Sequence, residues 1–342
     1  MRSSSFLPFS LLLILYPRPA VATQWHVDAA AAPGGNGSPQ QPFNTLGQVV
    51  PVIATGDTVL VAAGTYSETV HFAQIQQGSG GPTVIKAAGG AAPVIDGGGS
   101  AEHVLKVTQT DKVTIEGLTL RNTTGSGVLF HEAHDGQVLS CKTESVGIGV
   151  TFYFSDRGLV KGCDLQGGVA GKATDGTVVR ESKVHDSAGT GLYLHAGSKN
   201  CKYVANEIYD NLPDNIYIDS SSDMTVDRNL IYMTKAPPTD HAAIQLADEQ
   251  YPNVTAPLLQ NITITNNVML GNGYGVMFWE GSFPGQSGLK NVRIANNTIV
   301  NSAAAALVWD PGPHSATIQN NILADDGKGT AAMLVMAKST TG

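Results

Sequence analysis

Short apolar runs of two to four residues recur along most of the chain, separated by glycine, asparagine and other turn-forming residues. Strands bury alternate residues, whereas an amphipathic helix needs apolar positions three and four apart over a longer window. The pattern therefore predicts many short strands and no long helix. The runs that align best begin at Val113, Val160, Val226, Ile264, Ile294 and Ile318.

These runs repeat at a nearly constant interval. One register position is occupied in turn by Leu118, Cys141, Cys163, Ser182, Asn206, Asn229, Asn267, Asn297 and Asn321. Most steps are 19 to 24 residues long, and two steps of 38 and 30 residues contain insertions. Five asparagines in register predict a ladder in which each side-chain amide bonds to both neighbouring coils. An asparagine at this position would also tolerate the left-handed backbone of a sharp turn.

A second strand follows each of these turns. Its first and third residues are nearly all apolar and should face the interior, so its second and fourth should face solvent. Coils that stack in this way predict an all-β parallel β-helix, a solenoid in which each coil buries its apolar face on the next. The second strands begin at Val128, Val150, Val169, Leu192, Ile216, Ile244, Val276, Leu307 and Met333.

Residues 24–66 have the features of an N-terminal cap with a short helix near residues 45–54. Segments beginning at Trp25, Asn36, Pro42 and Gly56 stand there in an order that resembles the start of secreted right-handed parallel β-helix proteins of the pectate-lyase-like superfamily. The resemblance covers essentially the whole mature chain and implies the fold and export more specifically than an activity. It implies a cap and first coils in residues 23–100 and right-handed β-helix repeats in residues 101–342.

The N-terminus has the pattern of a cleavable signal peptide. Arg2 precedes an apolar run from Phe6 to Tyr16 that is too short to span a bilayer, and small residues stand at Ala20 and Ala22. We therefore expect a signal peptide at residues 1–22, a secreted or periplasmic monomer, and no membrane insertion. The chain ends soon after a predicted strand with no polar cap, which predicts C-terminal truncation.

Charge and cysteine content narrow the possible partners. The net charge is −8, or −10 once the predicted signal peptide is removed. A nucleic-acid partner is not expected, because no basic stripe is available to contact phosphates. An acidic polysaccharide would need a locally basic cleft or a bridging cation. The three cysteines, an odd number, indicate buried free thiols rather than a disulfide scaffold.

The outward positions of the second strands carry the candidate chemistry. Equivalent residues on adjacent coils lie about 4.8 Å apart, and insertions at 233–242, 248–260 and 280–290 would wall a groove over them. Aromatic rings can stack on sugars, and His, Lys and Tyr can transfer protons. This predicts a catalytic group of Lys172, His195, Tyr193, Tyr217 and Asp219. It also predicts a substrate-binding group of Tyr153, His131, Gln245, Trp279 and Glu280.

The favoured function is a polysaccharide lyase acting by β-elimination on a uronic-acid polymer. Such a reaction needs a group that neutralises the uronate carboxylate, a base for the C5 proton and an acid for the leaving oxygen. Lys172 or a bound cation, His195, and Tyr193 or Tyr217 could fill these roles. The best-known pectate lyases use a cluster of calcium-binding Asp residues and a catalytic Arg. This face has no Arg and only Asp219 at its centre, so an alginate-type lyase or a C5-epimerase fits better.

Three alternatives remain open. A glycoside hydrolase needs two carboxyl groups at a defined separation, and only Asp248, Glu249 or Glu280 could complete a pair with Asp219. A C5-epimerase shares the proton-abstraction step, although the Asp-Pro-His signature of those enzymes is absent. A non-catalytic polysaccharide-binding protein would use the same groove. The sequence contains no compact metal-ligand motif; the candidate cofactor is Ca²⁺, held by Asp219 and a loop carboxylate.

Overall fold

The computed structural model describes residues 21–238, 240–249, 259–279, 289–309, 314–324 and 331–335. Their strands stack into three parallel sheets, and each complete coil contributes one strand to each sheet in the same order. This arrangement is a parallel β-helix, and it confirms the fold class predicted from the repeat. The first sheet has 12 strands: Gln24–Val27, Thr58–Val61, Thr83–Ala87, Val113–Glu116, Gln137–Leu139, Leu159–Lys161, Val178–Arg180, Lys202–Val204, Thr225–Asp227, Thr263–Thr265, Leu289–Ala295 and His314–Gln319.

The second and third sheets follow the first in every complete coil. Two long strands, Thr119–His131 and Lys142–Tyr153, bend from the second sheet into the third. The other strands of the second sheet are Gly64–Ser67, Pro93–Asp96, Asp164–Gln166, Lys183–His185, Glu207–Tyr209, Leu230–Tyr232, Val268–Leu270, Thr298–Val300 and Ile322–Ala324. The other strands of the third sheet are Val70–Ala73, His103–Thr108, Val169–Lys172, Leu192–His195, Ile216–Asp219, Ala242–Ala247, Tyr274–Trp279, Ala305–Trp309 and Ala331–Val335.

The strands of the third sheet are those predicted as the second strand of each repeat, and their register matches the predicted alignment. Val150 pairs with Val128 and Val169, and Ile244 pairs with Ile216 and Val276. The first and third positions are buried along the described part of the stack, as strand alternation requires. The short helix predicted near the N-terminus is one 3-10 turn, Leu46–Val49, and the strands Gln24–Val27 and Thr58–Val61 on either side of it already belong to the first sheet.

An asparagine ladder runs through the turn between the first and second sheets. The side-chain Nδ2 of each asparagine donates to the Oδ1 of the next at 2.9–3.0 Å, from Asn206 through Asn229, Asn267 and Asn297 to Asn321. Each Nδ2 also donates to a backbone carbonyl, so the buried amides are satisfied from both sides. The ladder predicted from the sequence is therefore confirmed.

One detail of that prediction is wrong. The left-handed residue of the turn is the one that precedes the ladder asparagine: Asn266, Asn296 and Asn320 have φ values of 57°, 59° and 55°. The ladder residue itself must place its amide in the stack, and the residue before it makes the bend. The Asn-Asn pairs of the sequence thus serve two separate purposes.

The interior contains apolar side chains, the tyrosines Tyr66 and Tyr203, and the three cysteines. Cys141, Cys163 and Cys201 are free and buried, as predicted, and burial raises the pKa of Cys201 to about 12. Phe130 and Phe152 stack from coil to coil with ring centroids 5.2 Å apart. Within the described residues, no helix is long and apolar enough to cross a membrane.

Candidate functional site

The predicted catalytic residues occupy the outer face of the third sheet. Lys172 pairs with His195 on the next coil, and Tyr193 pairs with Tyr217 on the coil after that. Tyr217 in turn pairs with Gln245. The stacked coils therefore bring these side chains together although they are separated by about 20 to 30 residues in the sequence.

The centre of this face is a stack of three rings. The rings of Tyr193 and His195 are 4.0 Å apart with an interplanar angle of 8°, and the rings of Tyr193 and Tyr217 are 5.2 Å apart. Tyr193 and His195 stand two positions apart on one strand, so both point outward and lie side by side. The stack restrains the imidazole plane, because rotation of His195 would separate it from Tyr193.

His195 is neutral at physiological pH. Burial, reinforced by the neighbouring Lys172, lowers the pKa of His195 to about 4. Lys172 itself is exposed. A half-buried neutral imidazole beside an exposed ammonium group can accept a proton, and an anion bound at Lys172 would make protonation of His195 easier by cancelling the adjacent charge.

Tyr217, Asp219 and Glu249 form an acidic group beside the ring stack. Asp219 is fully buried, and its Oδ1 accepts hydrogen bonds from the Ser220 hydroxyl at 2.7 Å and the Glu249 backbone N–H at 2.9 Å. Burial, with the Asp219 and Glu249 carboxylates, raises the pKa of Tyr217, whose hydroxyl oxygen is also buried. Tyr217 therefore stays protonated, and in this arrangement Tyr193 is the better placed of the two to reach a ligand.

The predicted solvent exposure of Asp219 is wrong. Its position on the strand does point outward, but the chain that follows the next strand folds back over it, and the backbone N–H of Glu249 covers the carboxylate. Ala247, at the same position one coil later, is also fully buried. Strand alternation predicts the direction of a side chain, whereas an insertion from a neighbouring coil decides whether water reaches it.

The backbone of this strand is held from the inside. The Leu194 N–H donates to the hydroxyl of Tyr203 at 3.0 Å, and Tyr203 is a fully buried core residue. The backbone pairing between Leu192–His195 and Ile216–Asp219 joins Leu192 to Ile216 and ends with Tyr193 and Tyr217. The Tyr203 hydroxyl thus accepts a hydrogen bond from the Leu194 amide, next to His195, at the point where the backbone pairing between the two strands ends.

A cleft of about 370 Å³ lies near Tyr217, on the coil of Tyr217 and the two coils that follow it. Pro213, Asp214, Asp240, Gln245, Met277 and Trp279 line it. Asp214 is 3% exposed and accepts a hydrogen bond from the Ala242 N–H at 2.8 Å. With the Gln245 amide nitrogen turned toward Asp214, that nitrogen lies 3.0 and 3.3 Å from the two carboxylate oxygens. Burial, with a contribution from Asp240, raises the pKa of Asp214 to about 7.

The predicted substrate-binding residues are spread over several coils. Tyr153 is 37% exposed and precedes Lys172 in the column, and His131 lies one coil earlier, with its ring 6.1 Å from that of Phe154. Gln245 and Trp279 line the cleft. Glu280 lies outside the described residues.

Sequence reasoning missed Asp214 and Asp240. Both stand two residues before a third-sheet strand, at Ile216 and Ala242, outside the four strand positions that defined the predicted columns. In the coil register Ile216 aligns with Ile244, so Asp214 stands two residues and Asp240 four residues before equivalent positions, and no repeated offset marked them. Among the described residues, no group of three or more His, Cys, Asp or Glu side chains is arranged to hold a metal ion. The expectation of Ca²⁺ remains untested.

A second polar group lies on the second sheet and is separate from this face. His185 contacts Asp164 at 2.7 Å and Asp186 at 2.9 Å, and its ring stacks on Tyr209 at 5.0 Å. Tyr209 stacks in turn on Tyr232, also at 5.0 Å. The polar atoms of His185 thus have their partners on this side of the coil, and we interpret the group as a structural feature.

Solved structures with the same architecture confirm the fold class. A GH136 lacto-N-biosidase from Eubacterium ramulus is 14% identical with a TM-score of 0.62, covering 88% of this chain and 68% of its own. An alginate lyase from Paenibacillus sp. str. FPU-7 is 15% identical with a TM-score of 0.60, covering 85% and 96%. A pectate lyase, Pel9A, is 14% identical with a TM-score of 0.51, covering 89% and 79%. At these identities the likeness concerns the fold.

The chain is thus a right-handed parallel β-helix, a fold that it shares with an alginate lyase and a pectate lyase. Residues 104–285, more than half of the chain, match the family described as "Right handed beta helix region", and the chain belongs to that family. No curated protein sequence matches it.

Proposed function

We propose that this protein is an exported carbohydrate-active enzyme that cleaves a uronic-acid-containing polysaccharide by β-elimination on the outer face of the third sheet. The observation that carries the proposal is the placement of Lys172, neutral His195 and Tyr193 on two adjacent coils. Those three groups can supply the charge neutralisation, the base and the acid that the reaction needs. Similarity in fold to an alginate lyase and a pectate lyase supports the same class.

In the proposed reaction the uronate carboxylate lies against the exposed Lys172 ammonium group. This contact makes the C5 proton more acidic, and His195 removes it with a ring nitrogen. The electrons of the C5–H bond form the C4–C5 double bond, and the C4–O bond breaks. Tyr193 donates its hydroxyl proton to the departing oxygen, which becomes the new chain end. Deprotonated Tyr193 and protonated His195 then return to their starting states by proton exchange with water.

The low pKa of His195 is compatible with this role. A base of pKa about 4 is weak in the free protein, because burial and, to a smaller extent, the Lys172 charge oppose protonation. When a carboxylate neutralises Lys172, that opposition falls and the imidazole becomes a stronger base at the moment when the substrate is present. The ring stack with Tyr193 keeps the imidazole in place meanwhile.

Glycoside hydrolysis is the second candidate, and one observation favours it. Asp214, with a pKa raised to about 7, can hold a proton near neutral pH and donate it to a glycosidic oxygen, and Asp240 supplies a second carboxyl group in the same cleft. The fold is also similar to that of a lacto-N-biosidase. This candidate places the chemistry in the cleft rather than at His195.

The test is incubation with a panel of acidic and neutral polysaccharides, following ultraviolet absorbance from unsaturated ends and total reducing ends. We expect both signals to rise together, and to be lost in His195→Ala. The matched control is His71→Ala, because His71 is also on the third sheet, five coils before His195 and about 24 Å away by the stacking distance. Its activity should match that of the parent protein.

The alternatives give different results in the same assay. Reducing ends without absorbance would replace β-elimination with hydrolysis, and Asp214→Asn would then be the inactivating variant. Binding with neither signal would contradict cleavage and point to an epimerase or a binding protein. Full activity in His195→Ala would refute the assignment of the base.

A further inference from the structure

The cleft beside Tyr217 and Gln245 has one apolar side and one polar side. Met277 and Trp279 stand on adjacent outward positions of one strand and are both partly exposed. Asp214, Asp240 and Gln245 form the polar side of the cleft. Its volume of about 370 Å³ falls within the range of small-molecule sites. A sugar ring has the same two-sided character, with C–H groups on its faces and hydroxyl groups around its edge.

The charge of the cleft differs from that of the surface around Lys172. The described residues that line the cleft include two acidic side chains and no basic one. Asp240 is exposed, whereas Asp214 is held in place by the Ala242 N–H and by Gln245. A uronate carboxylate in the cleft would lie close to Asp240 with no cation to compensate, and like charges in a partly enclosed site repel strongly.

The region around Lys172 and the cleft lie close together on one face, so a single extended ligand can contact both. The coil of Asp214 lies two steps beyond that of Lys172, and the coil of Trp279 lies four steps beyond it. At the stacking distance these steps correspond to about 10 Å and about 19 Å along one face. A single polysaccharide chain lying along the sheet would cross both regions.

We propose that the cleft lined by Asp214, Asp240, Gln245, Met277 and Trp279 is a subsite for an uncharged sugar residue. This proposal rests on the proposed function, since it concerns the same substrate. It implies that the polysaccharide is a heteropolymer, with a uronic-acid residue at Lys172 and a neutral residue in the cleft. The ring of the neutral residue packs on Trp279, and its hydroxyl groups bond to Asp214, Gln245 and Asp240.

The first measurement is binding, which does not depend on catalysis. Isothermal titration of the full-chain His195→Ala protein compares two oligosaccharides of equal length, a homo-oligomer of uronic acid and an alternating oligomer of uronic acid and neutral sugar. We expect the alternating oligomer to bind at least about tenfold more tightly. Trp279→Ala should remove most of that preference, whereas Trp279→Phe, which retains an aromatic face, should keep part of it.

A charge reversal gives the sharper test. Asp240→Lys places a cation in the cleft, so it should raise affinity for the homo-oligomer by about tenfold and reduce the preference for the alternating one. The matched control is Glu102→Lys, the same charge change on a side chain that is 84% exposed and six coils before Asp240's strand. Glu102→Lys should leave the preference unchanged.

Equal or tighter binding of the homo-oligomer would overturn the subsite, and so would an equal effect of Asp240→Lys and Glu102→Lys. If added Ca²⁺ is required for homo-oligomer binding and removes the preference, a bridging cation replaces the neutral sugar and the proposal also fails. The proposed β-elimination is judged separately by product formation in the parent protein. An active lyase that prefers homopolymers would therefore refute this subsite and leave the reaction in place.

Discussion

Replacing Asp214 by asparagine should change how the stability of the protein depends on pH. Asp214 is 3% exposed, and burial raises its pKa from 3.8 to about 7, with a smaller contribution from Asp240. The asparagine keeps the size of the side chain and an oxygen that can accept from the Ala242 N–H. The substitution therefore removes the ionisation while preserving the main contact.

The direction of this pH dependence follows from whether the folded or the unfolded state holds the Asp214 proton. The folded protein binds the Asp214 proton between about pH 4 and pH 7, whereas the unfolded chain has released it. The stabilisation associated with that proton is present below about pH 4 and is lost as pH rises through about 7. A shift of about three pKa units corresponds to about 4 kcal/mol in the free energy of unfolding, as an order of magnitude.

Two histidines act in the opposite direction over nearly the same range. Burial, aided by Lys172, lowers the pKa of His195 to about 4, and burial lowers that of fully buried His241 to about 4 as well. Each contributes stability that is present above the ordinary histidine pKa and lost as pH falls toward 4. Both are present in the parent protein and the variant, so they cancel in the difference between the two.

The assay is urea unfolding of both proteins at several values between about pH 4 and pH 8, followed by circular dichroism. The advantage of Asp214→Asn over the parent protein should grow by up to about 4 kcal/mol across this range. A difference that does not change with pH would show that Asp214 ionises normally. Asp214 would then not hold its proton in the folded protein at neutral pH.

Three further predictions concern activity and stability. Lys172→Met should move the acid limb of kcat/KM upward from about pH 4, because the pKa of His195 rises when the neighbouring charge is removed; a pH-rate profile checks this, and an unchanged limb would contradict it. Asn267→Ala should cost about 3 kcal/mol or more in unfolding free energy, because it leaves buried amide and carbonyl groups without partners; Asn291→Ala, at an exposed position with a left-handed backbone (φ 54°), should cost less, about 1–2 kcal/mol. Tyr203→Phe should cost about 1–3 kcal/mol in the same unfolding measurement, and a neutral result would show that the strand amide finds another acceptor.

The repeat could be predicted because it depends on features that are local in the sequence, namely strand alternation and turn residues. The alternation of apolar positions determined which side of each third-sheet strand is buried, and the register of Asn267 with its neighbours identified the ladder. The alternation recurs from coil to coil and the ladder runs from Asn206 to Asn321, so one correct alignment predicts many contacts. The placement of Asn266 in the left-handed region was missed because either asparagine of the pair could make the bend on sequence grounds.

The candidate site could be predicted only in part. The outward columns brought His195 and Tyr193 together correctly, because their positions follow from the strand register. The burial of Asp219 could not be predicted, since it depends on chain that returns from the next coil to place the Glu249 N–H over it. The raised pKa of Asp214 likewise arises from enclosure by residues that are distant in sequence.

The Tyr203 hydroxyl links the interior of the solenoid to the face on which we place the reaction. It bonds to the amide of Leu194, between Tyr193 and His195, from inside the core. Shape changes in the interior at this coil would therefore be transmitted to the backbone that carries both rings. Related proteins could differ in reactivity through substitutions that no ligand touches, and a variant library confined to the outer surface would miss them.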